Sequence, residues 1–178
     1  MDAPDSLKVD LRSLEKGPGA WTVRIPVEDG PWSDTGLTFA ERPVAELVAA
    51  LTGERGAHVR GSLTAPLVLE CRRCLEAIRR TTELPLDLLF DREVDPVSAE
   101  SEIYPLEGEA TVLDLGPVLR EQLLLAVPDY PVCREDCEGL CPKCGTNLNE
   151  DECDCVLTEP DPRWDVLRKL KESESAAG

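Results

Sequence analysis

Residues 133–155 read CREDCEGLCPKCGTNLNEDECDC and hold six of the eight cysteines in the chain. At the centre of this stretch lies Cys141-Pro142-Lys143-Cys144-Gly145, which has the spacing and turn chemistry of a zinc knuckle. Two residues between cysteines let both sulfurs reach one tetrahedral ion from a tight turn. Proline presets φ, and glycine accepts a positive φ where the chain leaves the metal. The stretch therefore predicts a segment that is held together by a metal ion.

A second pair of cysteines, Cys71 and Cys74, lies far upstream with the same spacing. Since a closed structural zinc site takes four ligands, eight cysteines permit two complete sites. Grouping by pairs gives two candidate ligand sets: Cys141, Cys144, Cys153 and Cys155 in one, and Cys71, Cys74, Cys133 and Cys137 in the other. A single site with spare thiols, or an exchange of pairs around Cys137, also fits the spacing. The sequence thus predicts at least one zinc ion, permits two, and leaves the partition open.

The start of the chain argues against disulfides as the role of these cysteines. Residues 1–13 contain Asp2, Asp5 and Asp10 and no apolar segment, so we expect no secretory signal peptide. Disulfides are rare in the reducing cytosol, and we therefore expect a cytoplasmic protein and rank disulfides below metal binding. No apolar run approaches the roughly eighteen residues that a membrane helix needs, so we expect no membrane partner.

Three other cysteine chemistries compete with structural zinc. A redox role for Cys71-Arg72-Arg73-Cys74 would need the pair at the start of a helix, whereas Cys71 ends a strand-like run. A catalytic thiol has one candidate base, His58, which we expect in a surface turn flanked by glycines. Iron–sulfur ligation by four cysteines stays open, because sequence alone does not separate it from zinc. We rank zinc first among these alternatives.

The pattern of apolar residues predicts strands up to residue 90 and helices after it. Period-two alternation indicates strands at 7–11, 21–27, 59–69 and 82–90. Residues 44–51 are ambiguous because alanine favours helix, and we assign them to a strand. The clearest helix spans 116–127, and a second begins at Asp161, with Trp164, Leu167 and Leu170 on one face.

These elements predict an α+β fold. We expect an antiparallel β-rich sheet or partial barrel with one central and one C-terminal helix and a cysteine-rich zinc-knuckle segment. The expected domains are a β-rich core at 1–130, a zinc-binding segment with the last helix at 131–171, and a disordered tail at 172–178.

The chain is strongly acidic. Asp and Glu number 36 against 19 Lys and Arg, which gives a net charge of −17. Two four-thiolate zinc sites would take this to roughly −21. Such a surface suits a basic partner better than a phosphate backbone. Residues 91–108 are especially acidic and poor in pattern, so we expect a mobile loop there.

The order of the motifs resembles the bacterial YceD family from about residue 59 to residue 170. The residues that carry the resemblance are LECRRCLE at 69–76, the leucine-rich helix that runs into Val127-Pro128, Cys133, CEGLCPKCGTNLN at 137–149, CDC at 153–155 and DPRW at 161–164. Members are associated with accumulation of large-subunit ribosomal RNA, and their gene commonly neighbours that of a small zinc-binding protein of the large ribosomal subunit. Some members keep the first cysteine pair and lack the Cys-Pro-x-Cys-Gly knuckle, which agrees with two separable sites. The resemblance implies a cytosolic factor in large-subunit assembly and no enzymatic activity.

Two functional hypotheses remain. In the first, the acidic, zinc-held protein binds a basic large-subunit ribosomal protein or a pre-ribosomal particle. In the second, it binds RNA directly through basic residues near the first cysteine pair and on the last helix: Arg72, Arg73, Arg79, Arg80, Arg163, Arg168, Lys169 and Lys171. Those residues are also typical of an ordinary solvated surface. An enzyme ranks below both, because no motif places a nucleophile beside a base.

Overall fold

The computed structural model describes residues 7–53, 56–94, 103–106, 111–155 and 162–165. The fold is α+β and rich in antiparallel strands, as the sequence predicts. Two compact units divide the chain: Met1–Cys71 with Glu76–Cys133, and Arg72–Leu75 with Arg134–Gly178. The domain boundary expected at residue 130 stays a prediction.

Strands dominate the first unit. Their bounds are β1 Lys8–Asp10, β2 Gly19–Arg24, β3 Thr38–Phe39, β4 Val44–Thr52, β5 Gly56–Glu70, β6 Ala77–Asp91, β7 Ile103–Pro105 and β8 Val112–Asp114. A 3-10 helix, Leu11–Lys16, follows β1, and the α-helix α1, Gly116–Ala126, follows β8. Within the described part of the chain, no helix is long and apolar enough to cross a membrane.

The main sheet has the order β2-β4-β5-β6-β7, with β3 also pairing with β5. All of its pairs are antiparallel except β6 with β7. Strands β5 and β6 are 15 residues each and form a hairpin in register from Gly56 opposite Asp91 to Glu70 opposite Ala77. The first cysteine pair therefore lies in the connection at the end of this hairpin, between strands as the sequence predicts.

One face of the sheet carries the core. Alternate residues of β5 and β6 are buried, and so is one side of α1: Ala57, Val59, Leu63, Ala65, Leu67, Leu86, Leu88, Phe90, Leu115, Val118, Leu119 and Leu123. The strand period of two and the helix period of 3.6 bring these side chains onto common faces. The helix predicted at 116–127 is confirmed, and Val127 is its C-cap.

The ambiguous segment 44–51 is a strand, as assigned from the sequence. Ala45, Leu47 and Ala49 are almost completely buried, and β4 pairs with β2 on one side and β5 on the other. This pairing buries alternate side chains on one face, which outweighs the modest helix propensity of alanine.

Two predicted loops are wrong in part. Within the expected acidic loop, Ile103–Pro105 forms β7, which pairs in parallel with residues 89–91, and the rings of Tyr104 and Phe90 lie 5.5 Å apart. The expected turn around His58 is instead the interior of β5. Gly61 lies there because a Cβ atom at this position would come 1.9 Å from the carbonyl oxygen of Glu46 on β4.

The ends of several predicted elements also differ. The first strand stops at Asp10, whose side chain accepts a hydrogen bond from the backbone N–H of Arg12 and caps the 3-10 helix. Strand β2 stops at Arg24, before the predicted end at 27. At the C-terminal helix, the structure describes the 3-10 turn Pro162–Trp164, and the predicted positions Leu167 and Leu170 and the tail 172–178 lie outside the described residues.

Candidate metal centre

The eight cysteines lie in two groups of four. The Sγ atoms of each group are within 4.8 Å of one another: Cys71, Cys74, Cys133 and Cys137 in the first group, and Cys141, Cys144, Cys153 and Cys155 in the second. Four thiolates at 2.3 Å from a tetrahedral zinc ion stand about 3.8 Å apart, so each group needs little adjustment to close on one ion. The structure thus brings the candidate ligands together in the grouping by pairs, one of the partitions that the sequence permits, and each group could hold a metal ion.

The two Cys-x-x-Cys turns have the same backbone pattern. The N–H of Cys71 donates to the carbonyl of Glu76 at 2.8 Å, and the N–H of Cys141 donates to the carbonyl of Thr146 at 2.8 Å. The residue after the second cysteine has a positive φ in both turns, 62° at Leu75 and 77° at Gly145. Both turns therefore have the knuckle conformation that the spacing predicts for the second one.

Burial differs between the groups. In the first group Cys71, Cys74 and Cys137 are buried and Cys133 is exposed, whereas in the second only Cys141 is buried. The backbone N–H of Cys133 also donates to Sγ of Cys71 at 3.4 Å. Amide donors and limited solvent access favour a metal thiolate over a thiol that must act on a substrate.

The thiols of the second group influence one another. A hydrogen bond with the Thr146 hydroxyl, at 3.1 Å, contributes most to lowering the pKa of Cys144 to about 6. The hydrogen bond with Cys144 contributes most to raising the pKa of Cys155 to about 12. Charge on one sulfur therefore opposes charge on its neighbour, and a cation at the centre of the group would remove this opposition.

The first Cys-x-x-Cys turn contributes a further structural residue, Arg73. Its Nη1 atom donates to the carbonyls of Glu135 and Cys137, both at 2.9 Å, and its own carbonyl accepts from the N–H of Leu140 at 3.0 Å. Gly139 has φ 79°, and a Cβ atom there would come 3.0 Å from the Arg73 carbonyl oxygen. Arg73 thus holds the backbone beside Cys137, a role that the sequence does not indicate.

The structure gives His58 a partner other than a thiol. Its Nε2 atom lies 2.5 Å from Oδ1 of Asp87, and the hydrogen bond with His58 lowers the pKa of Asp87. Twelve residues of strand lie between His58 and Cys71, and they span roughly 40 Å of extended chain. A nucleophilic pair of Cys71 with His58 is therefore excluded in this fold.

Comparison with known proteins decides the family. The family model described as "Large ribosomal RNA subunit accumulation protein YceD" matches residues 59–171. The chain belongs to the YceD family. This confirms the family expected from the sequence, and the matched range includes all eight cysteines of the two groups.

The chain is also similar to three individual proteins. An uncharacterized protein of Mycobacterium tuberculosis is 37% identical over 178 residues, covering 95% of this chain and 83% of its own. An uncharacterized protein of Mycobacterium leprae is 36% identical over 92 residues, covering 51% of this chain and 42% of its own. An Arabidopsis thaliana protein, "Large ribosomal RNA subunit accumulation protein YCED homolog 1, chloroplastic", is 34% identical over 157 residues, covering 73% of this chain and 49% of its own. No solved structure matches the chain.

Proposed function

We propose that the protein is a non-enzymatic factor in the assembly of the large ribosomal subunit. It holds a basic ribosomal protein, alone or on a pre-ribosomal particle, before that protein engages ribosomal RNA. The YceD family description and the name of the Arabidopsis relative both refer to accumulation of large-subunit ribosomal RNA. This role agrees with the cytoplasmic location expected from the sequence.

The acidic charge is the observation that carries the proposal. A net charge of −17 repels the phosphates of RNA and attracts a basic protein, raising the rate of encounter. The acidic residues that we expect to contribute lie in or next to the loop at 91–108 and outside the described residues: Glu100, Glu102, Glu107 and Glu109. Their part in binding is a proposal from charge alone.

Exposed apolar residues near the end of α1 support a protein partner. Leu125 is 76% exposed and Tyr130 is 81% exposed, and Leu124 and Val132 are also exposed. Tyrosine is a common anchor of protein interfaces, and exposed apolar side chains that lie close in the sequence suit such an interface. The acidic residues Glu121 and Asp129 lie within the same stretch of sequence, which suits a basic segment with apolar anchors.

Zinc is proposed at both cysteine groups, with a structural role. Four thiolates and no open position are typical of structural zinc sites, and a closed site leaves no place for substrate. Two loaded sites would also make the protein more negative. A redox role is the weaker alternative, because Cys71-x-x-Cys74 lies between strands and not at the start of a helix.

Direct RNA binding is the second candidate. Arg72, Arg79 and Arg80 are exposed at the end of the β5–β6 hairpin, which favours it. Arg73, another basic residue near the first cysteine pair, is hydrogen-bonded to backbone carbonyls and is less able to contact phosphate. On the last helix Arg163 is exposed, and Arg168, Lys169 and Lys171 lie outside the described residues.

Affinity capture from a nuclease-treated lysate tests the proposal. We expect a basic large-subunit protein to stay bound at low salt and to be lost progressively as salt rises, because attraction between exposed charges is screened. The identified protein should then bind the purified full chain with the same salt dependence. Binding of purified ribosomal RNA with a steep loss of affinity in salt, and no bound protein, would favour the second candidate.

A further inference from the structure

Asn149 lies in the sequence among the cysteines of the second group, but its side chain contacts a cysteine of the first group. It lies in the loop between Cys144 and Cys153, yet its Nδ2 atom donates to Sγ of Cys137 at 3.5 Å. The same Nδ2 atom donates to Oδ1 of Asn147 at 2.7 Å. A side chain of one loop is therefore in contact with a candidate ligand of the other group.

The orientation of the Asn149 amide is fixed by its oxygen. Oδ1 accepts from the backbone N–H of Glu138 at 2.9 Å and from Nη2 of Arg134 at 2.8 Å. Reversing the amide would place its NH2 group against two donors, so the NH2 group must face Cys137. An N–H directed at a thiolate stabilises its charge and orients the sulfur toward a metal ion.

The loop that carries Asn149 is connected to the backbone before the knuckle. Leu140 and Asn147 form an antiparallel bridge, and the N–H of Leu148 donates to the carbonyl of Gly139 at 2.9 Å. The side chain of Asn147 accepts from the N–H of Asn149 at 3.2 Å. A metal ion that closes this loop on Cys153 and Cys155 would therefore hold Asn149 in place.

We propose that Asn149 is a positioning residue through which metal binding by the second group strengthens metal binding by the first. The inference rests on the proposed zinc sites and goes beyond them, since two independent sites would not need it. Coupling between sites is reciprocal, so metal at the first group should equally favour metal at the second. Loss of a contact of this kind costs about 10-fold to 100-fold in metal affinity.

Competition between the metal-free full chain and a chromophoric chelator tests the positioning role. Asn149→Ala should lower the affinity for one of the two zinc ions by about 10-fold or more. Asn149→Asp should also weaken the binding of this ion. The new carboxylate can still accept from the backbone N–H of Glu138, but it places a negative charge beside the sulfur of Cys137. Asp151→Ala, an exposed change in the same loop, is the matched control and should bind both ions as the unchanged chain does.

Cobalt spectra and a double-mutant cycle test the coupling. The visible bands of cobalt bound to the first group should change in Asn149→Ala but not in Asp151→Ala. Cys153→Ser, which disables the second group, should lower the metal affinity of the first group. Adding Asn149→Ala to this variant should lower that affinity little further. Equal affinities of Asn149→Ala and the unchanged chain would overturn the positioning role, and full additivity would overturn the coupling. An unchanged chain that bound no metal would instead refute the zinc sites themselves.

Discussion

Leu75 and Gly145 occupy the same position in two copies of one turn. Each follows the second cysteine of a Cys-x-x-Cys pair, with φ 62° and 77°. Glycine adopts this conformation freely, whereas for an L-residue with a Cβ atom the conformation costs about 1–2 kcal/mol of free energy. Leu75 is 54% exposed, so burial of its side chain does not account for a leucine at this position. Burial of this side chain therefore offsets only part of the cost of the strained conformation.

The two turns should respond to substitution in opposite ways. Gly145→Ala should lower the free energy of unfolding of the zinc-bound protein by about 1–2 kcal/mol, because it introduces the strained conformation. Leu75→Gly should cause no loss, because relief of strain offsets the greater freedom of glycine in the unfolded chain. Denaturant unfolding measures both values. A loss in Leu75→Gly as large as that in Gly145→Ala would show that the leucine side chain itself stabilises the turn.

Substitution of the two neighbouring arginines in the first turn should change the stability of the protein by different amounts. Arg73→Ala removes the hydrogen bonds to the carbonyls of Glu135 and Cys137 and should cost about 1–2 kcal/mol. Arg72→Ala, at the adjacent exposed position, should stay within about 0.5 kcal/mol of the unchanged chain. Hydrogen exchange of residues 134–141 should rise in the first variant only. Equal protection in both variants would mean that Arg73 does not hold this backbone.

Some features of the fold and of the cysteine groups could be predicted from local sequence patterns. Helix α1 follows from periodicity, since it buries a regular set of apolar side chains, whereas the pattern of β4 was ambiguous because its alanines favour helix. Pair spacing and the ligand number of zinc identify the cysteines as candidate ligands and permit the two groups, but they also permit other partitions. In both cases the information is local, or depends only on counting.

Other features depended on contacts far apart in the chain. Arg73 binds carbonyls 62 and 64 positions away, and carbonyls carry no signal in the side-chain sequence. Strand β7 is three residues long and pairs in parallel with β6, so no alternation marks it. The positive φ of Leu75 could have been suggested only by analogy with Gly145, because leucine itself favours negative φ.

Removal of metal should disorder only part of the protein. Four ligands contribute about 10–16 kcal/mol of apparent binding free energy in small zinc domains, so a strong chelator should release zinc and disorder residues 133–155. The sheet of the first unit has its own buried core and should persist. Circular dichroism and hydrogen exchange with and without chelator provide the measurement. A metal-free chain in which residues 133–155 kept their structure would contradict the structural role of zinc.

Single cysteine substitutions should separate the two groups. Cys74→Ser should remove about one zinc per chain and loosen α1, because α1 leads directly to Cys133 of the same group. Cys144→Ser should also lower zinc content by about one ion but should leave α1 protected. Elemental analysis gives the metal content, and hydrogen exchange gives the protection of α1. Equal loosening by both substitutions would show that the cysteines are partitioned differently.

Separate neutralisation of acidic and of basic residues should show whether the ribosomal partner is a protein or RNA. Replacing Glu100, Glu102, Glu107 and Glu109 with glutamine removes four negative charges and should weaken capture of a basic large-subunit protein at low salt, since attraction by the acidic surface is reduced. Arg72→Ala combined with Arg79→Ala should matter less. Arg73 is left unchanged in this test, because its loss would disturb the backbone beside Cys137. Binding curves for both variants across a salt series, with and without nuclease, separate the candidates. If nuclease abolished every ribosomal association and the arginine substitutions did the same, direct RNA binding would replace the protein partner as the function.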